Sequence, residues 1–239
     1  MSQYNKNDPQ SIQRMFGSIA KQYDRTNAIL SFQMHKLWNK QLVSTTLSSK
    51  PQSYLDLCCG TGEISLNYLK RCSHACEAYL LDFCPEMLFF AKEREKSMEI
   101  NKHHKITYLQ ADAQLIPLTH ASIDCATIAY GIRNVPNPSK CFDEVYRVLR
   151  AGGKIGILEL TQPKNPLLNL GHSLYLRTLL PLLGKLVTSN HAAYQYLCNS
   201  IKNFSQPEEL EKTLQSAGFK NTKVIPLTGG IATIILAEK

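Results

Sequence analysis

Short apolar runs alternate with stretches of helical periodicity along most of the chain. "SYLDL" (53–57), "CEAYLLDF" (76–83), "KITYLQAD" (105–112), "IDCATIAYG" (123–131) and "KIGILEL" (154–160) predict five strands. Helical patterns fall between them: one from the glycine loop to about Arg71, then "PEMLFFAKEREKSM", then "PSKCFDEVYRVLR", which Gly152-Gly153 is expected to stop. Near-continuous apolar strands separated by helices predict a parallel sheet buried on both faces. Upstream, Asp8 caps and Pro9 opens a first helix reaching about Gln22, and a second helix covers roughly Ser31 to Ser44. After Pro163 the rhythm changes: residues 164–204 read as helical with no strand. A last helix, "PEELEKTLQSAGF", and two strands, "TKVIPLT" and "IATIILAEK", close the chain. The expectation is one α/β domain with four parts: a helical N-terminal lid (1–50), a core (51–162), a helical insertion (163–204) and a closing helix with strands (205–239).

Composition narrows the class. The chain has 239 residues, 44% of them hydrophobic and 19% charged, which is ordinary for a globular domain. Eight cysteines raise the question of disulfides, but the N-terminal "MSQYNKNDPQ" is polar and has no apolar h-region. The thiols are therefore expected to be reduced and the compartment cytoplasmic, with a peripheral position at a membrane left open. A net charge of +8 suits a nucleic-acid binder, a visitor to an anionic membrane surface, or a protein that is simply basic. The lysines are spread rather than blocked. The longest apolar stretch, "NPLLNLGHSLYLRTLLPLLGKLV", is broken by His172, Arg177, Pro181 and Lys185, so no spanning helix is expected. "CSHAC" (72–76) lacks the further ligand pair that a structural zinc site needs, and no metal is expected.

"LDLCCGTGEIS" (55–65) carries the first chemical signal. An acid near the end of the first strand is followed by Gly60-Thr61-Gly62 and a helix, where glycines let the backbone pass close to a ligand. No Gly-Lys-Ser/Thr follows, as a phosphate loop requires, and Ser65 stands where a dinucleotide fingerprint has a third glycine. The loop therefore suits a nucleoside without demanding a pyrophosphate. Asp82, at the end of the second strand, is placed to accept hydrogen bonds from both hydroxyls of a ribose. Asp112-Ala113, at the end of the third, is placed to meet an adenine edge.

In order and spacing, "LDLCCGTGEIS", "LLDFCPEML", "QADAQLIPL" and "VYRVLRAGGKIGILEL" resemble the motifs of class I S-adenosylmethionine-dependent methyltransferases. "MFGSIAKQYDRTNAILSFQMHKLW", "AYGIRNVPN" and "AAYQYLCNSIKNFSQPEELEKTLQSAGF" resemble, more narrowly, the quinone C-methyltransferases, over nearly the whole chain. The resemblance implies a Rossmann-like seven-stranded, mostly parallel sheet with its last strand antiparallel. It implies S-adenosyl-L-methionine as cofactor, contacted by Thr61, Asp82, Asp112 and Ala113, with Gly60 and Gly62 shaping the loop. It also implies a polyprenyl quinol as substrate, demethylmenaquinol before a ubiquinone-pathway or other lipid-ring acceptor. A cofactor-binding protein without catalysis is the remaining alternative.

The chemistry of such a reaction selects further residues. A ring carbon becomes nucleophilic when an adjacent phenol loses its proton, so the site needs a group that favours the anion. Arg133, in "GIRN" after the fourth strand, is always protonated and is assigned electrostatic stabilisation; the alternative is a surface salt bridge. Asn134 is assigned to orient the ring oxygen, and Tyr23 and His35 are lid residues, one of them relaying the proton through water. "AYGIRN" stands where base-amine methylases carry an Asn/Asp-Pro-Pro-aromatic tetrad, so no nucleic-acid substrate is expected. Three departures from the family pattern stand out: Cys58 and Cys59 in place of small residues, Ala129 in place of serine, and Asn190 in place of aspartate. The cysteines are read as small packing residues. The leucines of 167–183 are either core or the lining of an isoprenoid slot.

Overall fold

The computed structural model describes residues 4–47, 49–180 and 191–239. Asn190 lies outside the described residues, so the consequence of that departure is not visible. Three helices open the chain: α1 (Pro9–Ile19), α2 (Tyr23–Leu30) and α3 (Met34–Thr46). Alternation follows as β1 (Ser53–Leu57), α4 (Glu63–Arg71), β2 (Glu77–Asp82), α5 (Pro85–Ser97), β3 (Lys105–Gln110), β4 (Ile123–Ala129), α6 (Pro138–Val148) and β5 (Leu149–Leu160). The insertion holds α7 (Pro166–Leu174), a π-helical turn (Tyr175–Leu179) and α8 (His191–Lys202). The chain closes with α9 (Pro207–Ser216), β6 (Lys220–Leu227) and β7 (Ala232–Glu238).

The strands form one seven-stranded sheet in the order β3-β2-β1-β4-β5-β7-β6. All pairs are parallel except those of β7, which runs antiparallel to both β5 and β6. Alternate side chains bury opposite faces. Leu55, Leu57 and Ile128 pack under Phe142, Val145 and Val148 of α6 and Leu210 and Leu214 of α9. Tyr54, Ala78 and Leu80 pack under Leu66 and Leu69 of α4. The strand order reverses between β1 and β4, and in open α/β sheets a crevice opens there, outside the carboxyl ends of the strands. The glycine loop after β1 and "GIRN" after β4 flank that crevice.

Three expectations are corrected. The N-terminal region holds a separate helix α2, because Phe32 and Gln33 take left-handed conformations (φ 48° and 62°) that end one helix and start α3 at Met34 rather than Ser31. Gly152-Gly153 does not stop α6. That helix ends at Val148 and β5 begins at Leu149; pairing with β4 at Ile123 and again from Cys125 makes residues 150–153 bulge out, with Gly152 at φ 74°. The leucines of 167–183 divide: none of α7's residues is buried, whereas Leu176 and Leu180 are buried with Leu30, Cys198 and Ile201, and Leu182 and Leu183 lie outside the described residues.

α3 lies across β5 because residue 156 has no side chain. A Cβ on Gly156 would sit 1.9 Å from Thr46 Oγ1 and 3.0 Å from Leu42 Cδ1, whereas Leu42 is fully buried at that contact. Gly156→Ala is expected to lower unfolding stability by about 1–3 kcal/mol, the usual cost of overpacking. Thr46→Ala in the same chain should recover much of that loss, since the Thr46 hydroxyl is buried without a partner. Denaturant titration of the two single variants and the double variant reads this out; additive losses would refute the contact.

Candidate functional site

The loop that joins β1 to α4 is bent by three left-handed residues, Cys58, Gly60 and Gly62 (φ 53°, 55° and 72°). Glycine meets that geometry without strain, while a side chain there costs roughly 1–2 kcal/mol. Asp82 fixes the bend. Its carboxylate is buried and accepts the backbone N–H of Gly60 at 2.8 Å and of Cys84 at 2.9 Å. One side chain therefore ties the β1 loop to the β2 loop. Behind it, Asp56 is buried as well and accepts from Ser65 and, at 2.7 Å, from Thr127 Oγ1. Burial pushes both carboxyls up to about 6. Two acids beside a cleft with little solvation are what a positively charged nucleoside would find favourable.

The paired cysteines are packing residues. Burial, and next the charge of Asp82, push the thiols of Cys58 and Cys59 well above the ordinary range, so both stay protonated and neither is a nucleophile.

Two cavities flank the loop. The smaller, about 50 Å³, is lined by Cys58, Leu81, Phe83, Asp112, Ala113 and Asn134, with Pro9 and Ile12 of α1 as its roof. Ala113 is buried there, and the exposed Asp112 carboxylate accepts the Gln114 backbone N–H at 2.8 Å. The larger, about 480 Å³, begins at Asp56, Gly60 and Thr61 and passes between Tyr23, His35 and Trp38 on one side and Tyr130 and Arg133 on the other. Leu167, Leu168, Leu176 and Leu180 of the insertion add apolar lining. Ala129 lines it too.

The residues expected in the site are divided, and two of them, Gly62 and Asp82, line neither cavity, Asp82 being buried behind the loop. Gly60, Thr61, Tyr23 and Arg133 share the large cavity, while Asn134 faces the small one with Asp112 and Ala113. Asn134 is also engaged, accepting from the Tyr196 hydroxyl at 3.0 Å. Thr61 gives its hydroxyl proton to Asp24 of α2 at 2.6 Å, and Asp24 pairs in turn with Arg94 of α5. The Tyr23 phenol is pushed up by burial, partly offset by the Arg133 charge, and so holds its proton.

Arg133 is not a surface salt bridge. It is 7% exposed, pairs with the equally buried Glu159, and donates from Nη1 to the Tyr130 carbonyl at 2.7 Å. Its Nε is buried with no hydrogen-bond partner. Arg133 also lines the large cavity, so its fixed positive charge stands at the cavity wall.

Sequence reasoning missed Glu159, Asp24 and the contact of His35 with Glu63. For Glu159 there was a signal: a lone acid inside the apolar run "KIGILEL". Asp24 and Glu63 sit among other polar residues, and nothing local marks them.

Comparison with known proteins agrees with the geometry. Demethylmenaquinone methyltransferase of Protochlamydia amoebophila is 54% identical, over 100% of this chain and 99% of that protein. The proteins of the same name from Chlamydia caviae and Staphylococcus aureus are 38% and 36% identical, over 99% and 98% of this chain and 99% and 95% of theirs. Among solved structures, an S-adenosylmethionine-dependent methyltransferase from Thermotoga maritima superposes with a TM-score of 0.65 at 20% identity, covering 95% of this chain and 99% of that one. A Haemonchus contortus phosphoethanolamine N-methyltransferase, solved with S-adenosylhomocysteine, gives 0.56 at 15% identity over 79% of this chain and 48% of that one. At those identities the structures speak for the fold. The model of the ubiE/COQ5 methyltransferase family matches residues 3–239, and the chain belongs to that family of methyltransferases.

Proposed function

We propose that the chain methylates a ring carbon of a polyprenylated quinol, converting demethylmenaquinol to menaquinol at the cytoplasmic face of a membrane. The observation that carries this reading is the large cavity. The glycine loop (Gly60, Thr61), the buried Arg133 and four leucines of the insertion (Leu167, Leu168, Leu176 and Leu180) all line it, which suits a cofactor, a phenolate and an apolar tail in one space. S-adenosylmethionine, when bound, supplies a methyl group made electrophilic by its sulfonium.

The chain's own groups do the rest. Asp82 and the glycine loop hold the ribose, Asp112-Ala113 the adenine edge, and Thr61 the cofactor's other end. Holding the reactants in line and dry supplies ~7–11 kcal/mol of the barrier reduction. Arg133 stabilises the phenolate through its positive charge at the cavity wall, while Glu159 holds the guanidinium in place. Tyr23 closes the site against the loop, and Asn134 keeps Tyr130 and Tyr196 in place around it.

The tail leaves toward lipid. Leu167, Leu170 and Leu174 form an exposed stripe on α7, with Phe32 exposed nearby at the same cavity's edge. Exposed apolar patches of this kind mark docking sites. Lys36, Lys40 and Arg177 are exposed, and the chain carries +8, so an anionic bilayer is the fitting surface. No described helix is long and apolar enough to cross it.

With labelled S-adenosylmethionine and anionic vesicles, demethylmenaquinol should gain label on carbon; label in tRNA instead would end the reading. In the same assay Leu170→Glu/Leu174→Glu should slow the long-tailed substrate at least tenfold and leave a short-tailed quinol unaffected. Equal losses on both would remove the docking stripe. Arg133→Met alone would strand Glu159 as a buried unpaired charge, which costs about 3–5 kcal/mol. Arg133→Met/Glu159→Gln avoids that. It should lower kcat by about 10²–10³-fold, the cost of one preorganised donor, with cofactor affinity within a few-fold. Unchanged kcat would remove Arg133 from the chemistry.

A further inference from the structure

One buried titratable group in the large cavity has no part in the scheme above. His35, on α3, is 5% exposed and lies between Ser31 and Glu63. Its hydrogen bonds settle where its proton sits. The Ser31 hydroxyl lies 2.6 Å from the carbonyl of Asn27, and a carbonyl has no proton to give, so Ser31 is the donor there. Ser31 has only that one proton. Its 2.7 Å contact with His35 Nδ1 must then run the other way, from Nδ1–H to Ser31 Oγ. In the neutral ring this leaves the lone pair on Nε2, and Nε2 faces Glu63 Oε1 at 3.6 Å. An ionised Glu63 has no proton to give, so that lone pair accepts nothing from it.

We propose that His35, backed by Glu63, is the group that takes the proton from the quinol hydroxyl. This rests on the quinol reading above. The O–H bond breaks, its electron pair stays on oxygen as phenolate, and a new N–H bond forms at Nε2 as the imidazolium settles against the Glu63 carboxylate. The ring carbon then bonds the methyl, and the pair of the broken C–S bond goes to sulfur. The ring carbon gives up its hydrogen to water, and His35 returns its proton to the ring oxygen, so one proton leaves to solvent for each methyl transferred.

The surroundings leave few rivals. Arg133 does not lose its proton. Tyr23 and Tyr130 are pushed up by burial and hold theirs, and Asp56 is occupied by Ser65 and Thr127. His172, across the cavity on α7, is pushed down by burial and is the one other imidazole there. Glu63 is held below the usual carboxylate range: burial acts against this, and it is outweighed by the hydrogen bond and charge that a protonated His35 supplies, followed by Arg94 and Lys36. It is thus ionised and ready to stabilise an imidazolium. Of these charged groups Lys36 lies on α3 itself, Arg94 comes from α5, and Glu63 from the first turn of α4.

Nitrogen NMR of the histidine rings in the full chain, without substrate, should find His35 with the proton on Nδ1 at high pH. His35→Asn keeps a donor toward Ser31 and removes Nε2. It should lower kcat at pH 7 by about 10²–10⁴-fold, with KM and cofactor affinity little changed. The deficit should shrink as pH rises toward the range where a free phenol ionises. An Nε2-protonated tautomer, or a His35→Asn pH–rate profile that matches the parent's, overturns the assignment; the alkaline recovery appearing in His172→Asn instead transfers it to His172. If no quinol is methylated at all, the functional reading fails, and the His35 assignment falls with it.

Discussion

A single buried carboxylate sets the shape on which the site depends. Asp82 takes one main-chain N–H from the loop after β1 and another from the loop after β2. A hydrogen bond to an ionised acceptor contributes about 1.5–3 kcal/mol, and here there are two on one side chain. They hold Gly60 in a conformation that few residues tolerate, and they fix the crevice where the strand order reverses. The Asp56, Ser65 and Thr127 network, braced by the Tyr54 hydroxyl at 2.6 Å from Thr127, supports the same loop from beneath.

Opposite charges stand buried around the loop. The carboxyls of Asp56 and Asp82 are raised to about 6 by burial. The guanidinium of Arg133 is buried with Glu159 as its counter-charge. A buried ion pair is weak evidence for stability, because desolvation consumes most of the attraction. Its value here is positional. The pair holds a cation in place at the wall of a cavity that Asp24, His35, Asp56 and Glu63 also line. The N-terminal helices complete the enclosure through long-range bonds: Trp38 to Thr228 at 2.9 Å and Tyr130 to Asn39 at 3.0 Å.

Much of this was legible in the sequence because it is local. β1 was placed to the residue, and the strand-end acids were found because strand, loop and helix follow one another within a dozen positions. The antiparallel last strand followed from family resemblance. What escaped depends on the fold bringing distant positions together. Arg133 meets Glu159 across 26 residues, and Thr61 meets Asp24 across 37. "YDRTNAIL" has too weak an apolar stripe to show α2 as a separate helix, and the left-handed turn at Phe32-Gln33 carries no glycine to announce it. The division of Arg133 from Asn134 into different cavities was invisible because both sit side by side in one three-residue 3₁₀ turn, which points adjacent side chains to different sides.

Calorimetric titration of the parent chain and Asp82→Asn with S-adenosylmethionine at pH 5 and pH 7.5 tests this picture most directly. Asp82 is protonated below about 6 and ionised above it, and ribose hydroxyls bind an ionised acceptor better. The parent should therefore bind more tightly at pH 7.5 than at pH 5. Asp82→Asn should bind at least about tenfold more weakly at pH 7.5, a loss of about 1.4 kcal/mol, and show a smaller pH step. Equal affinity for parent and variant, or no adenosyl binding by the parent, would contradict it.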